Sequence, residues 1–479
     1  MNPVRLLLIA CLALGACAKN PVTGDQDFAL MSEAEEIQQG RDYHSEILRN
    51  YGRYDDDELQ DYVNRVGQKL AAASHRAHLE YHFTVLDTPE INAFALPGGY
   101  IYVTRGIMAY LDSEAELAGV LGHEIGHVTA RHSVRQQAGQ FATGILSVLI
   151  SATTGESALG SLSQQLSTGL IRGYGRDHEL EADQLGAEYL HACGYDPENM
   201  LEVIGVLKDQ EVYERALAEK ENRPPNIYHG VYATHPENDE RLQTVVRAAR
   251  QLSSERYRDD NRDEYHRHID GMIWGSSLEQ GVVANNRLAH PELAIAMDLP
   301  AGWKVDNNPR FLEARDPAST ALLQVGVTAR NKKESPAAAL KRLTGDDDLE
   351  TMDTDYGATA ISRVRIRGAG QDARIAAVVL DDKTLLTLLG TADAEDFSEA
   401  DTRLLAAYAS FEHLDAAQVA AIRAPRLRVI EAESSSFDAL AADSALDYDA
   451  ENILRLLNRS FPAGRISQLD RVKTVTLDD

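Results

Sequence analysis

Cysteine is scarce, with three in 479 residues, which excludes a disulfide-stapled architecture. Cys11 lies within an apolar N-terminal run and Cys17 follows it, so Cys193 is left without an intrachain partner once that run is removed. It reads as a small packed residue rather than a nucleophile. Two apolar runs, Leu6 to Leu14 and Ile145 to Ile150, both fall short of the roughly 20 residues that a membrane-spanning helix needs. Basic residues are outnumbered, 47 Lys and Arg against 75 Asp and Glu, for a net charge of −28. A field of that sign repels phosphate backbones, so no nucleic-acid partner is expected. The second half shows no helical repeat of fixed period, which argues against a solenoid.

The remaining composition, 44% hydrophobic and 25% charged, is that of a globular chain, and its length suggests about two to four domains. Arg5 and the run after it have the form of a signal peptide, over residues 1–16. Leu14-Gly15-Ala16-Cys17 resembles the bacterial lipobox, with Cys17 as the lipidated residue and residues 17–32 as a tether. Ala18 stands where an aspartate would retain the protein at the inner membrane. The expected location is therefore the periplasmic face of the outer membrane, held by a lipid anchor.

Helical periodicity begins at Glu33 and continues through Leu59, Val63, Val66 and Leu70. Tyr81 to Leu86 and Tyr100 to Thr104 alternate as strands, separated by the turn Pro97-Gly98-Gly99. Ser113 with Glu116 has the form of a capping box opening a long helix. Residues 138–171, rich in small residues, read as a buried helix pair, with a mobile flap or a hydrophobic substrate surface beside the site as the functional alternative. A further helix is expected over His178 to Leu190 and another from Leu242 to Leu252, and the charged stretch Ser253 to His268 reads as the exit from the first domain. Beyond it, residues 276–413 read as a small α+β domain without visible chemistry. Arg423-Ala424-Pro425 reads as a linker to a compact last unit. The fold class expected for the whole is α+β.

The chemistry lies in His123-Glu124-Ile125-Gly126-His127. Two histidines four apart on a helix share a face, so both imidazoles can reach one ion. Glu124 can take a proton from a water that zinc has acidified towards a pKa of about 7. A catalytic zinc takes three protein ligands and leaves one position open. Glu179 and Asp183, four apart in Glu179-Leu180-Glu181-Ala182-Asp183, offer the third ligand and an acceptor for the imidazole N–H of His123. Spacing alone leaves open which does which. Glu181 reads as ordinary acidic surface. His132, five residues after His127, falls off the metal-facing side of an unbroken helix.

Several pieces in order carry a resemblance: Asn20-Pro21-Val22-Thr23-Gly24, Asn92 through Gly99, the H-E-x-x-H helix running to Arg131-His132, Glu179 through Asp183, and Thr234-His235-Pro236 with Arg241. The set resembles the gluzincin family of the CaaX prenyl protease and the membrane heat-shock protease, in its periplasmic outer-membrane-assembly lipoprotein branch. It covers roughly residues 17 to 255, and the peptidase domain is expected at 33–255. The resemblance implies one zinc ion per chain held by His123, His127 and Glu179, with Asp183 behind His123. It also places His235 near the metal, as oxyanion stabiliser or resting-state ligand, supported by Arg241. Asn92 to Tyr102, with Asn92, Ala93 and Phe94 as substrate-binding residues, would be the edge strand that takes up peptide. Residues 425–479 resemble, more weakly, a LysM-type peptidoglycan-binding module, although Ser434-Ser435-Ser436 replaces its usual Gly-Asp-Thr turn.

The function expected is a zinc endopeptidase that degrades misfolded or stalled envelope proteins. Two other readings stand beside it: a proteolytically latent chaperone or scaffold for outer-membrane assembly, and a peptidoglycan-binding adaptor.

Overall fold

The computed structural model describes residues 31–137, 175–221 and 260–477, except 308, 310, 346–349, 355–356, 367–369, 433–435 and 447. It also describes residues 17–19, 21–22, 24, 26–28, 225, 252 and 257. The expected signal peptide, the stretch 138–171, and residues 226–251 with His235 and Arg241 lie outside the described residues. No described helix is long and apolar enough to cross a membrane.

Helix α1 (Glu33–Tyr51) starts where Ser32 and Glu35 cap one another reciprocally. Helix α2 (Asp57–Ala72) is capped by Asp56 and buries Leu59, Tyr62, Val63, Val66 and Leu70 along one side. Three strands follow: β1 (His82–Leu86), β2 (Ala93–Leu96) and β3 (Tyr100–Thr104). Their order is β1-β3-β2, parallel between β1 and β3 and antiparallel between β3 and β2. Gly98 and Gly99, at φ 78° and 96°, turn the chain between β2 and β3 in a backbone conformation that other residues rarely take. The expected edge strand Asn92 to Tyr102 is therefore two strands. Only Ala93–Leu96 lies at the edge, and Tyr100–Tyr102 lies in the centre.

Helix α3 (Arg105–Tyr110) leads into α4 (Glu114–Thr129), which is buried at every position from Ala115 to Thr129. The Ser113 hydroxyl accepts the Glu116 N–H, which is half of the expected capping box. The Glu116 carboxylate goes elsewhere, to the N–H of Asp112 at 2.8 Å and to Arg459. Helices α5 (Arg176–Ala192) and α6 (Asn199–Lys220) pack on α4. Helix α7 (Arg262–Ile269) follows, with Tyr265 and Ile269 fully buried in the same core. The stretch expected as an exit thus contains a core helix, because its few apolar residues fall on one face.

Residues from Val282 to His413 form a four-stranded and a seven-stranded antiparallel sheet. Helices Pro336–Thr344 and Phe397–Ala409 pack on the larger sheet. This unit has its own apolar core around Trp303, Leu323, Leu388, Phe397 and Tyr408. The chain leaves for it and returns from it side by side. The Trp274 N–H donates to the Pro425 carbonyl at 2.7 Å, and the Leu427 N–H to that of Met272 at 2.8 Å.

The last stretch is β6 (Arg426–Glu431), α8 (Phe437–Ala442), α9 (Ala450–Leu457) and β7 (Arg471–Thr476), with β6 antiparallel to β7. Its Leu427, Phe437, Leu454, Leu457 and Val472 belong to the same apolar cluster as Val63, Leu117 and Leu121 of α2 and α4. The Lys473 ammonium, 1% exposed, donates to the Ala109 and Leu111 carbonyls at 3.0 and 2.8 Å. It lies 3.7 Å from the Asp112 carboxylate.

Candidate metal centre

Two helices build the centre, and small residues set their spacing. A Cβ on Gly126 would lie 2.8 Å from the Ala182 carbonyl oxygen, and one on Gly186 would lie 3.1 Å from the His123 backbone nitrogen. Without those side chains, α4 and α5 approach closely enough for His123 and His127 to meet Glu179. The His123 and His127 Nε2 atoms are 2.9 Å apart. The Glu179 carboxylate oxygens lie 3.5 Å from the first and 3.4 Å from the second.

These three donors form a group whose ligand atoms all lie within 4.8 Å of one another. Bonds of about 2.0–2.2 Å at tetrahedral angles place donors roughly 3.3–3.5 Å apart, so the spacing suits a zinc-sized ion. Two imidazoles and one carboxylate are also a donor set that zinc accepts. All three residues are buried, with His123 the most exposed at 6%.

Behind each histidine stands a partner. The Asp183 carboxylate lies 2.7 Å from His123 Nδ1 and is fully buried. It accepts the Nδ1–H and so leaves the Nε2 lone pair facing the centre. His127 Nδ1 lies 2.8 Å from His132 Nδ1. If His127 ligates through Nε2, its Nδ1–H donates to His132 Nδ1. His132 then carries its proton on Nε2, which lies 3.1 Å from the Glu181 carboxylate. Burial lowers the His132 pKa, against the raising effect of Glu181, which suits the neutral form this chain of bonds requires. Burial raises the pKa of Glu181, but hydrogen bonds to His132 and Arg135 outweigh it and bring the group down to about 2. His178 stacks on His132 with ring centroids 4.3 Å apart.

His132 is buried and not among the converging donors, as expected, but its contacts with His127 and Glu181 were not foreseen from the sequence. The reason is local: α4 ends at Thr129, and Arg131 takes φ 54°, so the helical phase is lost and His132 turns back under His127. The only sequence signal for it was Arg131-His132 itself.

Glu124, 1% exposed, lies between the histidines in sequence and lines a cavity beside the centre, together with His123, Asp183 and Ala93 of β2. Asn92 is buried, and its N–H donates to the Thr104 hydroxyl at 3.2 Å. Phe94 stacks on Tyr102, on the other side of the strand from Ala93 and Ala95. His235 and Arg241 are not among the described residues, and Cys17 is described only as backbone, in a short strand, Cys17–Lys19.

Residues 57–249 match the model of Peptidase family M48. The beta-barrel assembly-enhancing protease of Escherichia coli strain K12 is 29% identical over 263 residues, covering 51% of this chain and 52% of that one. Its namesake in Yersinia pestis is 31% identical over 242 residues, covering 48% and 47%. A mitochondrial metalloendopeptidase of Schizosaccharomyces pombe is 32% identical over 183 residues, covering 37% and 53%. The chain thus spans about half the length of these relatives.

Proposed function

From the match of residues 57–249 to the model of Peptidase family M48, we propose that this chain is a zinc-dependent endopeptidase acting on unfolded or misassembled proteins of the bacterial envelope. One observation carries the reading: two imidazole nitrogens and a carboxylate converge within 4.8 Å, with Glu124 next to them on the same helix. A zinc ion held there supplies Lewis acidity towards a carbonyl oxygen and a lowered pKa for water.

The chain's own groups do the rest. Asp183 and His132 fix the tautomers of His123 and His127. The Glu124 carboxylate accepts the proton of the attacking water and returns it to the nitrogen of the departing strand. Edge strand β2 offers backbone groups to an extended peptide, and its Ala93 lies at the wall of the cavity beside Glu124. On sequence grounds, His235 and Arg241 complete the site, His235 either closing the fourth position at rest or donating to the oxyanion.

The envelope setting is supported by the lipobox-like Leu14 to Cys17 and by similarity to proteins named for beta-barrel assembly. Metal analysis beside a casein degradation assay tests the activity. Wild type should contain zinc and degrade casein. Glu124→Gln should keep the zinc and lose at least about a hundredfold in rate, because the base is not a ligand. Loss of zinc from folded Glu124→Gln, or unchanged turnover, would overturn the assignment.

A further inference from the structure

Glu36, in the first turn of α1, is a buried carboxylate that takes no part in the mechanism above. It accepts hydrogen bonds from two guanidinium groups. Arg76 donates to both its oxygens, at 2.9 and 3.2 Å, and Arg131 Nε donates to one of them at 3.0 Å. Arg76 is buried too, and it also donates to the Val128 carbonyl at 2.9 Å, in the last turn of α4. Arg131 Nη2 donates to the Met31 carbonyl at 2.8 Å. Both acceptors of Arg131 thus come from the start of α1.

Arg131 needs such a grip. At φ 54° it holds a left-handed conformation that glycine takes freely and that costs free energy in a residue with a Cβ. The chain turns there and at once resumes a helical course, with the Arg135 N–H donating to the Arg131 carbonyl at 3.0 Å. His132 opens that new turn, with its Nδ1 2.8 Å from His127 Nδ1. A displacement of about 1 Å breaks a bond of this length. The start of α1 is itself held fast. A Cβ on Gly40 would lie 2.0 Å from the Pro97 carbonyl oxygen, and one on Gly98 would lie 2.6 Å from Ile37 Cα. Helix α1 and the turn between β2 and β3 therefore meet backbone to backbone, and Glu36 sits at a fixed place.

We infer that Glu36 is a positioning residue for the metal centre. By holding Arg131 in its left-handed turn, it sets His132 against His127 and so fixes the ring that presents Nε2 to the zinc. The inference rests on the zinc site proposed above, and its test does not require turnover. Zinc affinity of the full-length protein is measured by competition with a chelator, beside the melting temperature. The variants are Glu36→Gln, Arg131→Ala and Arg131→Gly, each alone and combined with His132→Ala.

Glu36→Gln keeps the shape but turns an amide donor towards a guanidinium. It should weaken zinc binding several-fold, up to about tenfold, a part of what a partner behind a ligand is worth. In the His132→Ala background it should change zinc affinity little, because its route to the metal is already cut. A merely structural role would weaken binding equally in both backgrounds. Arg131→Ala leaves the pair Arg76 and Glu36 intact, so it carries the test if Glu36→Gln fails to fold. It should weaken zinc binding more than Arg131→Gly, since glycine takes the turn without strain. Wild-type affinity in the folded variants, or losses that add in full to that of His132→Ala, would overturn the inference. A wild-type protein that binds no zinc would sink the metal site and this inference together. One that binds zinc yet never cuts casein would refute the endopeptidase reading alone, and the pattern of zinc affinities would still decide the role of Glu36.

Discussion

His132 stands to His127 as Asp183 stands to His123, since each faces the ring nitrogen turned away from the centre. Partners of this kind are worth about ten- to a hundredfold in metal affinity. His132→Ala should therefore weaken zinc binding by that factor, measured by competition with a chelator. Glu181→Ala should move affinity in the same direction by less, because His132 would keep its place and lose only its anchor. Unchanged affinity in both variants would show that the 2.8 Å approach of the two rings has no role in holding the metal. His123, Glu124 and His127 are legible from spacing on one helix, whereas Glu179 and Asp183 are legible only as a pair that the family resemblance orders. His132 is not, because its position depends on one left-handed residue, Arg131, which no periodicity announces.

The pair α4 and α5 shows how an element's small residues serve the site. Replacing Gly126 by alanine gains about 1 kcal/mol in helix propensity. Against this, the new methyl would lie 2.8 Å from a backbone oxygen of α5, which cannot rotate aside. Overpacking of this kind costs about 1–3 kcal/mol and forces the helices apart. Gly126→Ala should therefore lower both the melting temperature and the zinc affinity, and a rise in both would mean the helices have slack between them. Sequence patterning located these helices well, since buried apolar residues recur along them. It marked the turn at Pro97-Gly98-Gly99 but could not tell that Ala93 to Leu96 lies at the edge and Tyr100 to Thr104 in the centre. Sheet order follows from pairing partners far apart in sequence.

At the scale of the whole molecule, the last described strand closes the core that holds the helices of the candidate metal centre. Lys473→Met would leave two buried carbonyls, Ala109 and Leu111, without their donor, and should cost about 2–4 kcal/mol. The pH dependence has a definite sign. Burial, working against the attraction of Asp112, pulls the Lys473 pKa down from 10.5 to about 8. Between those values the unfolded chain holds the extra proton, so this lysine's contribution to stability grows as pH rises from 8 towards 10.5. Denaturant midpoints should show the gap between wild type and Lys473→Met widening over that range. A narrowing gap would mean the fold prefers the cation. In the sequence, the stretch around Lys473 reads as a compact last unit after a linker, because an amphipathic pattern shows that a face is covered but not by what.

The adjacency of Trp274 and Pro425 bears on how freely the molecule can be edited. The domain between them is topologically a loop of roughly 150 residues, and closing a loop costs only about 0.6 kcal/mol more for each doubling of its length. Replacing residues 276–423 with a linker of about eight residues should leave the zinc site and the docking of β6 and β7 intact. On loop entropy alone it should stabilise the remainder by about 2–3 kcal/mol, read from denaturant midpoints. That position is then a socket: the fold around the metal centre feels chain length entering there only logarithmically, so domains of widely different size whose ends meet could be exchanged into it.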